Sequence, residues 1–207
     1  PETVPDNNTP IYVIDKDKEQ NFDLALVSMK HDATPDSLKG GIDYLASSYV
    51  KGALTAMLNA RYAEKALEPD CPFLQAGCDD SEYLVSRTKD AFNINVVAKP
   101  GKMLEAYGAA LREAKRAKDF GFTASEYLRY KDDFMSSLDK IYSNRDKMKN
   151  EQFTTQYVEN FIANEPIPSV EDEYQIYKMM VPNLPVDVVN AYAKKLICET
   201  DTNFVTL

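Results

Sequence analysis

Residues 112–134 have the sequence REAKRAKDFGFTASEYLRYKDDF, and this stretch decides the fold. Apolar residues at helical spacing lead into it from Met103 and stop at Phe120-Gly121. Thr123 and Glu126 then form a capping box, in which each side chain satisfies an orphan amide at the start of a second helix. The predicted buried stripe of that helix holds Tyr127, Tyr130, Phe134, Leu138 and Ile141. The stretch therefore predicts two helices joined by a tight Gly-Phe-Thr turn.

Upstream of these helices, alternating apolar residues predict strands. Residues 22–31 alternate and predict one half-buried strand. Residues 73–85 favour a strand that is interrupted at Asp79-Asp80. After a turn at residues 88–90, residues 92–98 show the cleanest alternation in the chain. The last two segments are expected to form an antiparallel pair.

A long helix is predicted between the first and second strands. Thr34 is the expected cap and Pro35 lies in the first turn, because proline is tolerated where the amide has no helical partner. The helix is expected to end before Pro69.

The rest of the chain is predicted to be helical, except at its end. Helices are expected at about 151–163, at 170–180 after a Ser169 cap, and at 185–197 with Pro185 in the first turn. Residues 203–207 predict a last strand that returns to the sheet. The fold class is therefore α+β, an antiparallel sheet with helices packed on one face.

The domain organisation follows from composition along the chain. Residues 1–10, PETVPDNNTP, contain three prolines and no apolar period, so we expect a linker. Residues 11–207 are expected to form a single domain of a longer protein.

The overall charge excludes some partners. The chain of 207 residues carries a formal net charge of −9, which argues against nucleic acid as a partner. A basic cluster lies in the first helix of the opening stretch, at Arg112, Lys115, Arg116 and Lys118. Acidic residues interrupt it, so a salt-bridged surface is favoured. No apolar run approaches the ~20 residues that span a bilayer.

The sequence offers no recognisable catalytic or metal site. His31 is the one histidine, and a hydrolytic zinc motif such as H-x-x-E-H needs two. His31 follows a predicted strand in a polar turn, so a surface imidazole is favoured over a catalytic base. The acidic runs Asp79-Asp80, Asp132-Asp133 and 171–173 are expected to solvate the surface or a helix start. No residue is therefore assigned a catalytic, metal-binding or substrate-binding role.

The three cysteines do not define a disulfide framework. Cys71 and Cys78 are spaced too widely for a typical zinc pair, and with Cys198 the number of cysteines is odd. A Cys71–Cys78 disulfide would be compatible with an oxidising compartment, but inert buried thiols are favoured.

The 112–134 stretch resembles the pitrilysin/insulinase family of zinc metallopeptidases, in its bacterial processing-protease-like branch. The matching positions there are Glu113, Arg116, Gly121, Phe122, Thr123, Glu126 and Lys131. Upstream, Leu58-Asn59-Ala60-Arg61 resembles the family's L-N-x-R segment, and Pro72-Phe73 the start of the following strand. Downstream, residues 184–190 and 203–205 resemble the family's last helix and final strand. The resemblance spans nearly the whole chain.

The resemblance implies a fold like the family's metallohydrolase domain and a supporting role. Members arrange domains of this kind as two halves around a peptide-binding chamber, with the zinc site in the first domain of a catalytic half. This chain resembles a second, non-catalytic domain. It would need no cofactor itself, while zinc is implied for a catalytic domain elsewhere in the parent protein. The implied partners are neighbouring domains of the same polypeptide and unfolded peptide substrate. The implied location is the bacterial periplasm or cell envelope.

Two other interpretations stay open. The domain could be a scaffold or protein-binding module that retains the fold without a protease role. It could also be a self-contained enzyme that uses carboxylates, which would require a deep pocket lined by two or more acids.

Overall fold

The sheet has five strands and is completed by the end of the chain. A computed structural model describes residues 3–147, 150–198 and 201–207. Its strands are β1 (Ile11–Tyr12), β2 (Leu24–Asp32), β3 (Phe73–Glu82), β4 (Lys89–Ala98) and β5 (Phe204–Thr206). They lie in the order β1-β5-β2-β4-β3. The last strand returns to β2, as predicted. All pairs are antiparallel except β1 with β5, which makes the sheet mixed.

Helices cover the sheet and then one another. The α-helices in the described residues are α1 (Ile42–Ala66), α2 (Met103–Phe120), α3 (Ala124–Ser143), α4 (Asn150–Ala163), α5 (Val170–Met180) and α6 (Val186–Leu196). The α1 helix packs on β3 and α2 packs on β4, while α3 and α6 pack against α1. Three short 3₁₀ turns lie at Asp36–Leu38, Arg145–Lys147 and Val181–Asn183. The predicted α+β class is confirmed.

The core lies between α1 and the sheet and extends to α3. Tyr62 is fully buried, and its hydroxyl donates to the Ala110 carbonyl oxygen at 2.9 Å, so its polar end has a partner. Tyr49 packs edge-on against Phe134, with ring centroids 4.8 Å apart. Phe134 in turn packs against Tyr177 of α5 at 5.0 Å. Aromatic contacts of this kind add about 0.5–1.5 kcal/mol each to the gain from burial.

The predicted start of the first long helix is wrong. Thr34 and Pro35 precede only the 3₁₀ turn Asp36–Leu38, and the α-helix begins at Ile42. The reason is Gly40, whose φ of 98° is incompatible with a continuous right-handed helix. Gly41, in an extended conformation, is the residue that precedes the helix.

The predicted interruption of the third strand and the turn after it are also wrong. β3 continues through Asp79 and Asp80, which face Asn93 and Phe92 on β4 in unbroken register. Lys89 and Asp90 lie in β4 and not in a turn. The strand tolerates two adjacent acids because both side chains have partners: Asp79 accepts from Ser81 and Asn93, and Asp80 lies in an ion-pair cluster described below.

The capping box at the start of α3 is confirmed, and it is part of a larger cluster around Arg61. Thr123 Oγ1 accepts from the Glu126 amide at 3.2 Å, and Glu126 accepts from the Thr123 amide at 2.7 Å. The Arg61 guanidinium binds the same carboxylate through Nε at 2.6 Å and through Nη2 at 3.0 Å. Nη2 also donates to the Gly121 carbonyl oxygen at 2.9 Å. One side chain on α1 thereby fixes the α2–α3 turn.

A fourth group completes the Arg61 cluster. Glu113 of α2 lies 3.6 Å from Arg61 Nη1, an ion pair too long for a hydrogen bond. Burial raises the pKa of Glu126, but Arg61 and Thr123 outweigh it and lower that pKa to about 2. Glu126 therefore stays charged over the whole physiological range, and the cluster is a permanent ionic contact.

Two asparagine side chains each bind both the amide and the carbonyl of one backbone residue, as the backbone of a neighbouring strand would. The Asn59 side chain accepts from the Cys78 amide at 2.7 Å and donates to the Cys78 carbonyl at 3.0 Å. Since β3 is an edge strand, α1 thus satisfies backbone groups that would otherwise be open. Asn190 of α6 makes the same pair of contacts with Phe122, at 2.7 and 3.3 Å. Each of these pairs of hydrogen bonds holds a helix against a segment that is distant in sequence.

Residues 5–7 lie against the domain. The Pro5 carbonyl accepts from Lys30 Nζ at 2.7 Å, and Asp6 pairs with Lys89 at 2.6 Å. The Asn7 carbonyl accepts from the Asn203 amide at 2.8 Å. The division into a linker of residues 1–10 and a domain of residues 11–207 stays a prediction, and these contacts show that the first of the two segments touches the second.

Replacing Arg61 with lysine should destabilise the domain. Lysine cannot bind the Glu126 carboxylate and the Gly121 carbonyl together, and Glu113 would stay buried with less compensation. Arg61→Lys should lower the free energy of unfolding by about 2–4 kcal/mol, measured by urea denaturation. Arg116, whose side chain is 65% exposed and pairs with the same Glu113, provides the matched control. Arg116→Lys should change stability by less than about 0.5 kcal/mol, and equal effects would contradict the role given to Arg61.

Candidate functional site

A polar cleft lies at the end of the sheet where β2 and β3 stop. It has a volume of about 510 Å³, within the range of small-ligand sites. One wall is the first half of α1, from Tyr44 to Lys51, and another is α6 with Tyr192 and Lys195. Residues 162–165, which are the last two residues of α4 and the two that follow, close a third side. Charged side chains from several separate elements line this cleft.

Asp80 is buried behind the cleft and contacts three of its lining residues, His31, Lys51 and Tyr192. Its side chain is 0% exposed and lies 2.7 Å from His31 Nε2. The other carboxylate oxygen lies 3.3 Å from Lys51 Nζ and accepts from the Tyr192 hydroxyl at 3.1 Å. Burial alone would raise the pKa of Asp80, but His31 and Lys51 hold it below its ordinary value. One buried carboxylate therefore joins β2, β3, α1 and α6.

His31 is fixed as an imidazolium. Its Nε2 faces the Asp80 carboxylate, and its Nδ1 lies 3.1 Å from the Asp32 carbonyl oxygen. Both partners are acceptors only, so both ring nitrogens must carry protons to form these bonds. Burial lowers the pKa of His31, but the contacts with Asp80 outweigh burial and raise it above its ordinary value. In this state His31 has no lone pair for a metal or for general-base catalysis.

The His31 side chain is 30% exposed, so it is more enclosed than the expected surface imidazole, and the expectation that Asp79-Asp80 solvate the surface is wrong for Asp80, whose side chain is 0% exposed. His31 continues the alternation of the buried residues Ala25, Val27 and Met29 on β2, and Asp80 lies on the same side of β3 as buried Cys78. The strand period therefore contained the signal, because both residues have the parity of the core face. It was obscured by a predicted strand end at His31 and a predicted break at Asp79-Asp80.

Residues 162–165, termed the strap, are held to the body of the domain by polar contacts. Lys39 Nζ donates to the Ala163 carbonyl at 2.7 Å and pairs with Glu165 at 3.0 Å. The Tyr44 hydroxyl donates to the same carboxylate, and Arg87 donates to the Ile162 carbonyl. Burial and the neighbouring Glu165 raise the pKa of Tyr44, so it remains a donor.

The carboxylates around the cleft do not form an acid–base pair. Glycosidase-type chemistry needs one carboxyl with a raised pKa next to an ionised one. Here Asp90 and Asp80 share Lys51, and Asp36 pairs with Lys39. Hydrogen bonds from Asn164 and Lys39 lower the pKa of Asp36, and the pKa of Asp80 is also lowered. The pocket that a carboxylate enzyme would require is present, but these acids act as partners of cations.

The side chains present do not fit a zinc ion. Cys78 is buried, its thiol donates to the Thr55 carbonyl at 3.6 Å, and burial raises its pKa, so it stays protonated. Cys71 is a second buried thiol not joined to Cys78, and the Cys198 thiol donates to the Thr202 carbonyl. Within the described ranges, no three histidine, cysteine or acidic side chains are grouped so that they could hold a metal.

None of the helices in the described part of the chain has an apolar stretch long enough to cross a bilayer. The basic cluster on α2 forms a salt-bridged surface as predicted: Lys115 pairs with Asp119 at 3.2 Å and Arg116 with Glu113 at 3.5 Å.

The stabilising effect of His31 should depend on pH. Its folded pKa is raised, so its contribution is complete below the unfolded value of about 6.5 and is lost as pH rises through the folded pKa. His31→Gln should lower the free energy of unfolding by about 1–2 kcal/mol at pH 5.5 and by less than half of that at pH 9. Urea denaturation at both pH values measures the difference, and the single histidine signal in an NMR titration reports the pKa directly. A difference that grows with pH would contradict the imidazolium assignment.

Neutralising Asp80 should lower the free energy of unfolding more than neutralising its neighbour Asp79. Asp80→Asn keeps the shape but leaves His31 and Lys51 as two cations without their shared partner. We expect a loss of about 2–4 kcal/mol in the free energy of unfolding, measured by urea denaturation at pH 6. Asp79→Asn is the matched control, because the Asp79 carboxylate accepts from the neutral donors Ser81 and Asn93, and its loss should lower the free energy of unfolding by less than about 1 kcal/mol. A larger effect at Asp79 would show that the cleft cluster is not the dominant contact.

Comparison with known sequences gives one short match. No family model matches the chain. A protein of Arabidopsis thaliana, "Zinc protease PQQL-like", is 27% identical over 81 residues, which are 39% of this chain and 8% of that protein. The chain thus spans a small part of the length of this relative.

Comparison with solved structures gives much wider matches. The periplasmic protease PqqL from Escherichia coli superposes on 98% of this chain with a TM-score of 0.83 and 15% identity, and the match covers 22% of that protein. Against the first half of PqqL alone, the TM-score is 0.80 and 42% of that half is covered. An inactive peptidase domain of a zinc protease from Bordetella parapertussis matches 91% of this chain and 94% of its own length, with a TM-score of 0.58 and 12% identity. These matches confirm the predicted fold class and the predicted resemblance.

Proposed function

We propose that this chain is a non-catalytic domain of a larger zinc protease of the pitrilysin/insulinase type. The premise is its fold, which is that of a domain of this type of protease. The observation that supports this most is the coverage: the fold accounts for 98% of this chain but only 22% of PqqL. A protein of that length therefore has room for several domains of this size.

The catalytic zinc is proposed to lie on another domain. The zinc motif of this type of protease needs two histidines, and the sequence has one. That histidine, His31, is protonated on both nitrogens and engaged by acceptors, so it cannot contribute a ligand across a domain boundary. By itself the chain would not be an enzyme.

In the parent protein the domain would form part of the wall of a peptide-binding chamber and position its neighbours. Its rigid α1–α2–α3 assembly around Arg61 suits a structural role, and its polar cleft offers a surface for peptide. The partners would be neighbouring domains of the same polypeptide and unfolded peptide substrate. By analogy with PqqL, the proposed location is the bacterial periplasm or cell envelope.

The alternative is a scaffold module that keeps the fold without serving proteolysis. The two differ in what the rest of the parent sequence contains. An intact H-x-x-E-H with a distal glutamate upstream supports the protease, and a motif disrupted in every domain supports the scaffold.

Activity of the whole protein decides between them. We expect the full-length protein to cleave a quenched unstructured peptide with zinc present, and a chelator to abolish the cleavage. The 207-residue chain alone should show no cleavage under the same conditions. A variant of the full-length protein with the first histidine of its H-x-x-E-H replaced should lose activity while this domain keeps its melting temperature. Zinc-dependent cleavage by the isolated chain would overturn the proposal.

A further inference from the structure

The strap makes the contacts that a bound peptide would make. Two of its backbone carbonyls, at Ile162 and Ala163, accept from Arg87 and Lys39. Its one carboxylate, Glu165, accepts from the Tyr44 hydroxyl and pairs with Lys39 at 3.0 Å. Ile162 and Ala163 are the last residues of α4, so their carbonyls are those of a helix end, and Glu165 follows two residues later. A peptide that presents the same turn and carboxylate could make the same charge-assisted contacts.

The receiving side of these contacts belongs to the body of the domain. Tyr44 lies in the first turn of α1, and the Lys39 side chain is only 14% exposed. Lys39 is also paired with Asp36 at 3.4 Å, so the ammonium keeps its position without the strap. The site is therefore preorganised, which lowers the cost of binding an occupant.

The strap itself is weakly anchored by apolar contact. Phe161, just before it, is 87% exposed, and Ile162 and Ile167 are each 39% exposed. Tyr157 of α4 is 63% exposed, and α4 packs on no other element over a wide area in the described residues. Releasing the strap would expose little apolar surface, so its polar contacts supply most of what holds it.

The cleft continues beyond the strap. The space of about 510 Å³ extends from Lys39 to His31, Lys51 and Lys195. Lys51 and Lys195 lie on this wall together with Asp32, Glu82 and Asp90. The preference for an acidic occupant is therefore set at the strap position, by Lys39, Arg87 and Tyr44.

We propose that this cleft is a binding site for an acidic peptide segment in the conformation of the strap, and that the strap is its internal occupant. An incoming segment would place a Glu or Asp at the position of Glu165 and its preceding carbonyls at Arg87 and Lys39. Binding would displace the strap. The proposal rests on the proposed function only in making the peptide a substrate segment, because the binding itself is a property of this chain.

A peptide with the strap's own sequence is the direct probe. The probe is residues 161–168, FIANEPIP, with a fluorophore at its amino end and an amide at its carboxyl end. Glu165→Gln in the 207-residue chain removes the strap's charge and should free the cleft. The probe should bind this variant at least about tenfold more tightly than the unmodified chain, by fluorescence anisotropy at 0.15 M salt, where the net charge is screened beyond about 8 Å.

Two controls make the result specific. A probe with glutamine in place of its glutamate should bind at least about tenfold more weakly, since it loses the charge-assisted contact with Lys39. In the Glu165→Gln background, Lys39→Gln should weaken binding to the same extent. Lys65→Gln is the matched control, because Lys65 pairs with Glu68 at 3.2 Å on a surface away from the cleft. It should leave binding unchanged.

A second variant distinguishes release of the strap from a folding defect. Asn164, with a φ of 52°, donates to Asp36 at 2.7 Å, and Asn164→Gly removes that bond while allowing the same backbone. Both strap variants should show faster hydrogen exchange at residues 160–167 and stronger probe binding. Failure of the probe to bind either folded variant, or binding insensitive to Lys39→Gln, would overturn the proposal. Because no protease activity is measured, this outcome is separate from failure of the proposed function.

Discussion

The structure depends on the guanidinium of Arg61. It lies near the C-terminal half of α1 and contacts Glu113 of α2, the Gly121 carbonyl in the turn and Glu126 at the start of α3. Gly121 has a φ of 72°, and an added Cβ would lie 2.6 Å from Asn190. The turn therefore needs glycine both for its conformation and for the approach of α6. One cation, one glycine and one amide together set the relative positions of four helices.

This arrangement explains what the family-like positions do. Asn59 and Arg61 of the L-N-x-R segment point from one helix to two different places: Asn59 to the backbone of Cys78 and Arg61 to the α2–α3 turn. These contacts use geometry that other residue types cannot reproduce, because a planar amide is needed for a backbone pair and a planar guanidinium for three acceptors. Two residues of one helix thereby hold the edge strand and the α2–α3 turn.

Much of the fold could be predicted from local patterns, and the site could not. The capping box at Thr123, the Ser169 cap and the returning last strand are signals contained in a few adjacent residues, and the structure has all three. The start of α1 was missed because Gly40 outweighs a favourable Thr-Pro pair. His31 and Asp80 are 49 residues apart, and their contact depends on strand register, which adjacent residues do not specify. A buried ion pair between them has no local signature.

The position of the polar cleft follows from the same sheet geometry. The core face of β2, β3 and β4 is largely apolar, and at its end beside the first half of α1 the alternation continues with His31, Asp80 and Asp90 instead of aliphatic residues. Charges at that point must be compensated, since a buried carboxylate without a partner would cost several kcal/mol. Lys51 and Tyr192 supply the compensation from two helices, and the result is a preformed polar surface beside the strap. The charges of this surface are thus held in place by one another before any partner binds.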